Sequence, residues 1–415
     1  MSRLSLLKNT SAMMLVQGVN LLAPFLVFPI ISRMLSIDDF GLVILVFTIT
    51  SLCYVITDFG FNLSASYKIA NNNQNKPVIC EILSSAFAIK SIILLIILFV
   101  FLIVWYVKYT VEVSLELLLW AFLAIVAQAF QPMWFFQGIE KMAHITLFSF
   151  ISKGLYALCI VMFINNLSPP EEVIKYFAIA NVVGAICALY NIYQEGYKLH
   201  KITAQVIIND TLDGFSFFIS RVAVASYNYT NTLLLGALTN NHQVALYGAG
   251  EKIFYTIQTL SSPFSLALYP YLSKKNNHRL FYTLVISLAV VGCFFIALIW
   301  PYSQTILTVI FGEEFAQAEL ILQLFLIAGG VSVISSLFGY PAFAMLKIPK
   351  KVNVTVWAGL AMQCIGILYL FLTNNITAVN LVKMVILVES CVLISRVLLF
   401  FYYKSQPRVI NDQLN

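Results

Sequence analysis

Charge is what this chain has least of: Asp, Glu, Lys and Arg together make up 10% of its 415 residues, against 60% hydrophobic ones. That leaves too little polar surface to cover a soluble globule and places the chain in the membrane class. Histidine is scarce too. Only His144, His200, His242 and His278 occur, near expected loops or membrane edges, with no H-E-x-x-H among them. Neither a phosphate-cradling P-loop nor a nucleotide fingerprint is present, so a catalytic metal or an ATP-driven motor has no visible home, and no cofactor or metal is expected. The seven cysteines form no C-x-x-C pair and all but Cys80 fall in apolar stretches, which argues against a disulfide framework. Missing as well is any polar segment of the roughly 50 residues that a compact extramembrane domain needs. The net charge of +6 is therefore no nucleic-acid signal; its distribution along the chain matters more than its sum.

What is present is a succession of apolar stretches. Requiring roughly 20 predominantly apolar residues per crossing gives about twelve helices. They run near Ser11–Ile31, Phe40–Asp58, Ile82–Val107, Leu115–Phe135, His144–Ile164 and Val173–Ile192, then Asp213–Gly236, Val244–Pro270, Leu280–Ile299, Leu320–Phe338, Val352–Leu372 and Val379–Tyr402. The first is a retained helix and not a secretory signal, because it is long, holds Gln17, Asn20 and Pro24, and ends in Arg33 without a small-residue cleavage site. Lys68, Lys76, Lys141, Lys198, Lys201, Arg279, Lys347, Lys351 and Lys404 all fall in alternate loops, whereas the loops between hold mainly acids such as Asp38, Asp39, Glu171 and Glu313. By the positive-inside rule both termini are cytoplasmic and the helix count is even.

The longest polar stretch, Glu195–Asp210, divides the chain into an N-terminal six-helix lobe (1–195), a cytoplasmic linker (196–212) and a C-terminal six-helix lobe (213–415). Because each lobe begins and ends on the inside, any repeat is parallel, related by an axis along the membrane normal. Faint echoes agree: Pro132 and Pro341 occupy equivalent ends of the fourth and tenth helices, and Phe61-Asn-Leu is matched by Phe264-Ser-Leu at the second and eighth. The expected fold is an all-α polytopic membrane protein, with two parallel-related six-helix lobes around a central cavity.

Within the seventh stretch Arg221 sits inside the span, with Asn228, Asn231 and Thr232 deeper still. Embedding a charge is costly, so a lipid-facing position is disfavoured and a wet cavity or bundle interior is the default. At about 100° per residue, Gly214, Arg221, Ala225, Asn228 and Thr232 fall on one stripe, which reads as a lining; the bland alternative is a structural arginine held by a neighbouring carboxylate. Gln17, Asn20 and Pro24 form a similar stripe on the first helix. Lys153 and Lys252 are further embedded cations, while Lys90 and Arg396 lie close enough to a membrane edge to snorkel. Glu389 falls mid-span with no Lys or Arg three or four residues away, so it is either an ion-coupling carboxylate or a structural one.

Two loop motifs complete the reading. Asp58-Phe-Gly-Phe-Asn-Leu-Ser-Ala follows the second helix and Pro132-Met-Trp-Phe-Phe-Gln-Gly-Ile-Glu-Lys-Met the fourth. An interfacial belt accounts for Trp134 and Lys141 but not for Asn62 and Gln137. These motifs, with Gln17-Gly18-x-Asn20, Pro24 and Pro29, resemble the Wzx O-antigen flippases of the multidrug/oligosaccharidyl-lipid/polysaccharide exporter superfamily. The resemblance covers nearly the whole chain in helix number and spacing, but its motifs are concentrated in the first half. It implies a transporter of the bacterial inner membrane that moves undecaprenyl-pyrophosphate-linked repeat units between leaflets by alternating access, with an O-antigen polymerase and a chain-length regulator as downstream partners. On that reading Arg221, Lys153, Lys252, Asn228, Asn231, Gln17, Asn20, Asn62 and Gln137 are the candidate substrate-binding residues, and Glu389 and Asp58 the candidate ion-coupling ones. The alternatives are a multidrug cation antiporter, which would share the topology, and a membrane-embedded polymerase or ligase, for which the sizeable periplasmic loop is missing.

Overall fold

A computed structural model of the protein describes residues 3–72, 75–107, 114–274 and 277–406. Every regular element among them is helical: α1 (Arg3–Met34), α2 (Ile37–Asp58), α3 (Ser64–Asn71), α4 (Lys76–Val107), α5 (Leu115–Ala129), α6 (Met133–Gly138), α7 (Met142–Phe163), α8 (Pro170–Gln194), α9 (Ala204–Leu238), α10 (Asn241–Lys274), α11 (His278–Ile299), α12 (Ser303–Phe311), α13 (Glu319–Leu337), α14 (Tyr340–Met345), α15 (Asn353–Leu372) and α16 (Ala378–Lys404). Ten helical stretches among the described residues are long and apolar enough to cross a membrane. The seventh and eighth expected spans correspond to α9 and α10, of 35 and 34 residues, and these two are not among the ten.

The ends of these helices follow from local chemistry. Ser36, Ser114 and Thr377 each accept a hydrogen bond from the backbone amide three residues on, which satisfies one of the four orphan donors at the starts of α2, α5 and α16. Four helices stop in Schellman turns, in which the residue after the helix turns left-handed and the next amide reaches back five residues. Glu140, Gly196, Lys347 and Asn374 take that left-handed place, and the reaching bonds are Lys141 N to Phe136 O, Tyr197 N to Ile192 O, Ile348 N to Phe343 O and Asn375 N to Leu370 O.

The contacts gather into two compact units, Met1–Leu233 and Leu234–Asn415. In the first, α1 packs on α7, α7 on α8 and α8 on α5, with α2 against α5 and α8. In the second, α10 and α16 both pack on α13, and α15 packs on α16. Lipid is as apolar as leucine, so these contacts gain from close approach and not from escape from water. Gly184 of α8 shows the device: a Cβ there would stand 2.8 Å from the Cβ of Ser152 on α7, so only glycine lets the two backbones come this near.

Four further departures from the sequence reading concern the backbone. The fourth span breaks after α5 and resumes as the short α6, because Pro132 cannot continue the helical hydrogen bonding. The ninth continues past Trp300-Pro301 into α12. The segment read as linker has no regular structure only over 197–203 and is helical from Ala204 onward. Finally, the proposed echo of Phe61-Asn-Leu at Phe264-Ser-Leu does not hold in conformation. The first follows a helix break at Phe59 and Gly60, whereas α10 runs unbroken through the second.

Candidate functional site

The motif after α2 builds a polar cluster within the first unit. Asp58 is the last residue of α2; Phe59 (φ 48°) and Gly60 (φ 79°) then both turn left-handed and send the chain toward α3. Glycine is required at the second position twice over, by its φ and because a Cβ would meet the Phe217 Cβ at 2.7 Å and the Phe218 amide nitrogen at 3.1 Å. The close approach lets Phe59 stack on Phe218, ring centroids 4.6 Å apart and 20° between planes.

That turn fixes a carboxylate in the interior. Asp58 is 1% exposed, and its Oδ1 accepts a 2.7 Å hydrogen bond from Asn62 Nδ2, one turn away across the break. Its Oδ2 lies 3.8 Å from Arg221 Nη2, too far for a hydrogen bond, and among the described residues no other group bonds to it. Lys90 is the second cationic neighbour. It does not snorkel, as the sequence reading allowed: the side chain is 1% exposed, and its ammonium donates to the carbonyl of Ala129 at 2.9 Å. Ala129 ends α5, where the helix dipole favours a cation. Arg221, by contrast, keeps 37% of its side chain exposed.

Closer to the lysine-rich end, Lys68 of α3 bridges Asp210 and Asp213 of α9 at 2.7 and 2.8 Å. Burial disfavours its charged form, but the two carboxylates outweigh that and hold its pKa above the ordinary lysine value. Sequence reasoning treated Lys68 only as a topology marker. The overlooked signal was the pair of acids three apart, which share a helix face once α9 is known to begin at Ala204. At the same end Glu195 pairs with Lys141 and His144, and its carboxyl is held below the usual range, chiefly by the hydrogen bond from Lys141.

The other candidate residues are spread more widely. Lys153 of α7 donates to Asn20 Oδ1 of α1, which brings two of them together within the first unit. Gln17 is exposed and Gln137 half-buried. On α9, Gly214, Ala225, Asn231 and Thr232 are buried and Asn228 half-buried, so much of the expected lining stripe is packed. Asn62 is committed to Asp58. In the second unit Lys252 is half-buried, beside buried Glu251, and Glu389 is 7% exposed. Arg396 does not snorkel either: its guanidinium donates to Ser335 O and Oγ at 2.7 and 2.9 Å and to Thr355 Oγ1 at 3.2 Å, clamping α16 to α13 and α15. No cluster of metal-ligating side chains occurs among the described residues.

The chain shares its fold with an inward-facing multidrug resistance MATE family transporter of the MOP superfamily, with a TM-score of 0.69, 13% identity and coverage of 94% of this chain and 96% of that one. The lipid II flippase MurJ in its inward closed conformation aligns with a TM-score of 0.65 and 14% identity, over 98% of this chain and 89% of that one. The sequence itself is more specific. Residues 6–276 match the polysaccharide biosynthesis protein family, and the chain belongs to that family. A putative O-antigen transporter of Escherichia coli (strain K12) is 30% identical over 66% of this chain and 66% of its own length. One of Shigella dysenteriae is 27% identical over 79% of this chain and 83% of its own.

Proposed function

We propose that the protein is a flippase that moves undecaprenyl-pyrophosphate-linked O-antigen repeat units from the cytoplasmic to the periplasmic leaflet of the bacterial inner membrane. The observation that carries this reading is that a chain whose relatives are named putative O-antigen transporters keeps a partly exposed cation, Arg221, on the long helix α9 beside buried Asp58. A pyrophosphate-linked oligosaccharide cannot cross unaided, since each unpaired hydroxyl costs roughly 1–3 kcal/mol to bury and each charge far more. Arg221, with Lys153 and Lys252, would hold the pyrophosphate or an acidic sugar, while Asn228, Asn231, Gln17, Asn20, Asn62 and Gln137 offer hydrogen bonds to hydroxyls. Two lobes, 1–195 and 213–415, would alternate access around the cargo, with 196–212 joining them and both termini in the cytoplasm. Glu389 is the candidate for proton coupling, and Asp58 is the second carboxylate available for it. An O-antigen polymerase and a chain-length regulator would take up the delivered units.

The multidrug-exporter reading has the fold likeness to MATE transporters in its favour, but identities of 13–14% carry the fold alone. The discriminating experiment measures periplasmic exposure of newly made lipid-linked repeat units in cells lacking the gene, complemented with the intact protein or with Arg221→Ala. Exposure restored by the intact protein alone, at equal protein levels, is the expected result. Full exposure with Arg221→Ala removes the central residue, and exposure unaffected by loss of the gene in a strain without a substitute removes the cargo.

A further inference from the structure

We propose that Asp58 is an internal stand-in for the cargo's phosphate: a counter-ion that holds Arg221 in the empty protein and gives it up when a phosphate group arrives. The inference rests on the flippase reading and deepens it. Three features of the cluster point the same way.

The first is the count of charges. Lys90 and Arg221 face one carboxylate, and Asp210 and Asp213, the nearest acids on α9, already share Lys68. The carbonyl end of α5 offsets part of the Lys90 charge, yet the cluster keeps a surplus of positive charge in a low-dielectric setting, where an anion is the favourable addition.

The second is the unequal commitment of the two cations. Lys90 is buried and bonded to Ala129 O, so it can neither leave nor be reached. Arg221 is more than a third exposed, and its contact with Asp58 at 3.8 Å is an ion pair without a hydrogen bond. A guanidinium gains from meeting a phosphate in a bidentate fork, which this loose contact does not supply.

The third is what remains after Arg221 departs. Asp58 would still accept from Asn62 and face Lys90, so no bare carboxylate is stranded. The left-handed pair Phe59 and Gly60 pins the end of α2 against Phe217 and Phe218, so the acid stays in place and the arginine is the part that moves. Loading thus exchanges one anion for another on Arg221, and unloading lets Asp58 take it back. Asp58 is a positioning residue in this scheme, competing with the cargo.

Competition has a signature that a purely structural acid lacks: removing the competitor tightens binding and slows turnover. The test measures the binding of inorganic pyrophosphate to the purified full-length protein in neutral detergent by calorimetry, alongside repeat-unit exposure in cells. Asp58→Asn is expected to bind at least tenfold more tightly than wild type while exposure falls, and Arg221→Ala to lose binding. Should Asp58→Asn fail to fold with two cations left uncompensated, Asp58→Asn combined with Lys90→Met keeps the cluster's net charge and carries the same expectation. Equal or weaker binding in a folded variant, with wild type binding normally, overturns the counter-ion role and leaves the flippase reading standing. No binding by wild type overturns the pyrophosphate reading itself. A parallel series with phosphatidylglycerol in the micelle separates the sources: if that lipid shows the same Asp58-dependent tightening of binding and pyrophosphate does not compete with it, the displacing phosphate belongs to a bilayer headgroup, and the cargo part of the proposal falls.

Discussion

Replacing Gly60 with alanine tests whether the turn after α2 holds α9 where the ion cluster needs it. Two costs add. A left-handed conformation costs a residue with a Cβ roughly 1–2 kcal/mol. The new methyl also stands 2.7 Å from the Phe217 Cβ and 3.1 Å from the Phe218 nitrogen, a backbone atom that cannot swing aside. Overpacking of this kind costs about 1–3 kcal/mol, so the sum is about 2–5 kcal/mol. At about 2–4 °C per kcal/mol for a unit of this size, the thermal midpoint in detergent should fall by on the order of 10 °C. The matched control is Gly154→Ala in α7, where nothing lies within 4 Å of the added carbon. That substitution should be neutral or stabilise by about 0.5–1 kcal/mol through helix propensity. If Gly60→Ala melts with Gly154→Ala, the close approach of the turn to α9 is not a constraint, and the argument that Asp58 is held fixed fails with it.

Two further outcomes follow from groups elsewhere. Glu195 has its carboxyl pKa held below the ordinary 4.5 by Lys141 and His144, so its contribution is present above that value and lost as the pH falls through the folded value. Wild type should therefore melt above Glu195→Gln at neutral pH, with the gap closing on acidification below 4.5; a gap that ignores pH contradicts the ion-pair account. Arg396→Leu strips three acceptors on α13 and α15 of their donor and should destabilise the second unit by about 2–4 kcal/mol. Arg396→Lys should recover less than half of that in the same melting assay, since one ammonium cannot span both helices as the planar fork does.

The fold was legible wherever the signal was one-dimensional. Apolar length located ten of the crossings, and Asp58-Phe-Gly marked a break that the backbone makes there, whereas the fourth expected span ran on through the break at Pro132. Partners across helices were not legible. Lys90 and Arg396 looked like snorkelling side chains because hydropathy sees depth but not neighbours, and their acceptors, Ala129 O and Ser335 O, are backbone carbonyls that no side-chain pattern advertises. Arg221 was recognised as an embedded charge, and a neighbouring carboxylate was weighed for it. That this carboxylate is Asp58 depends on α9 passing within a methyl's breadth of Gly60, a fact of three-dimensional packing.

The Schellman turns after α6 and α14 carry one more implication. Each follows a helix of six residues opening near a proline, Pro132 or Pro341, and each seats a non-glycine residue at φ 61°, Glu140 in one and Lys347 in the other. The two side chains have opposite charge, and in matched register Phe135-Phe136-Gln137 stands against Ala342-Phe343-Ala344, with only the Phe that accepts the reaching bond in common. What recurs is the course of the main chain, not the chemistry hung on it. Such a duplicated joint separates two kinds of inheritance. Substitution could redraw the polar interior of one half without renegotiating how that half's helices double back.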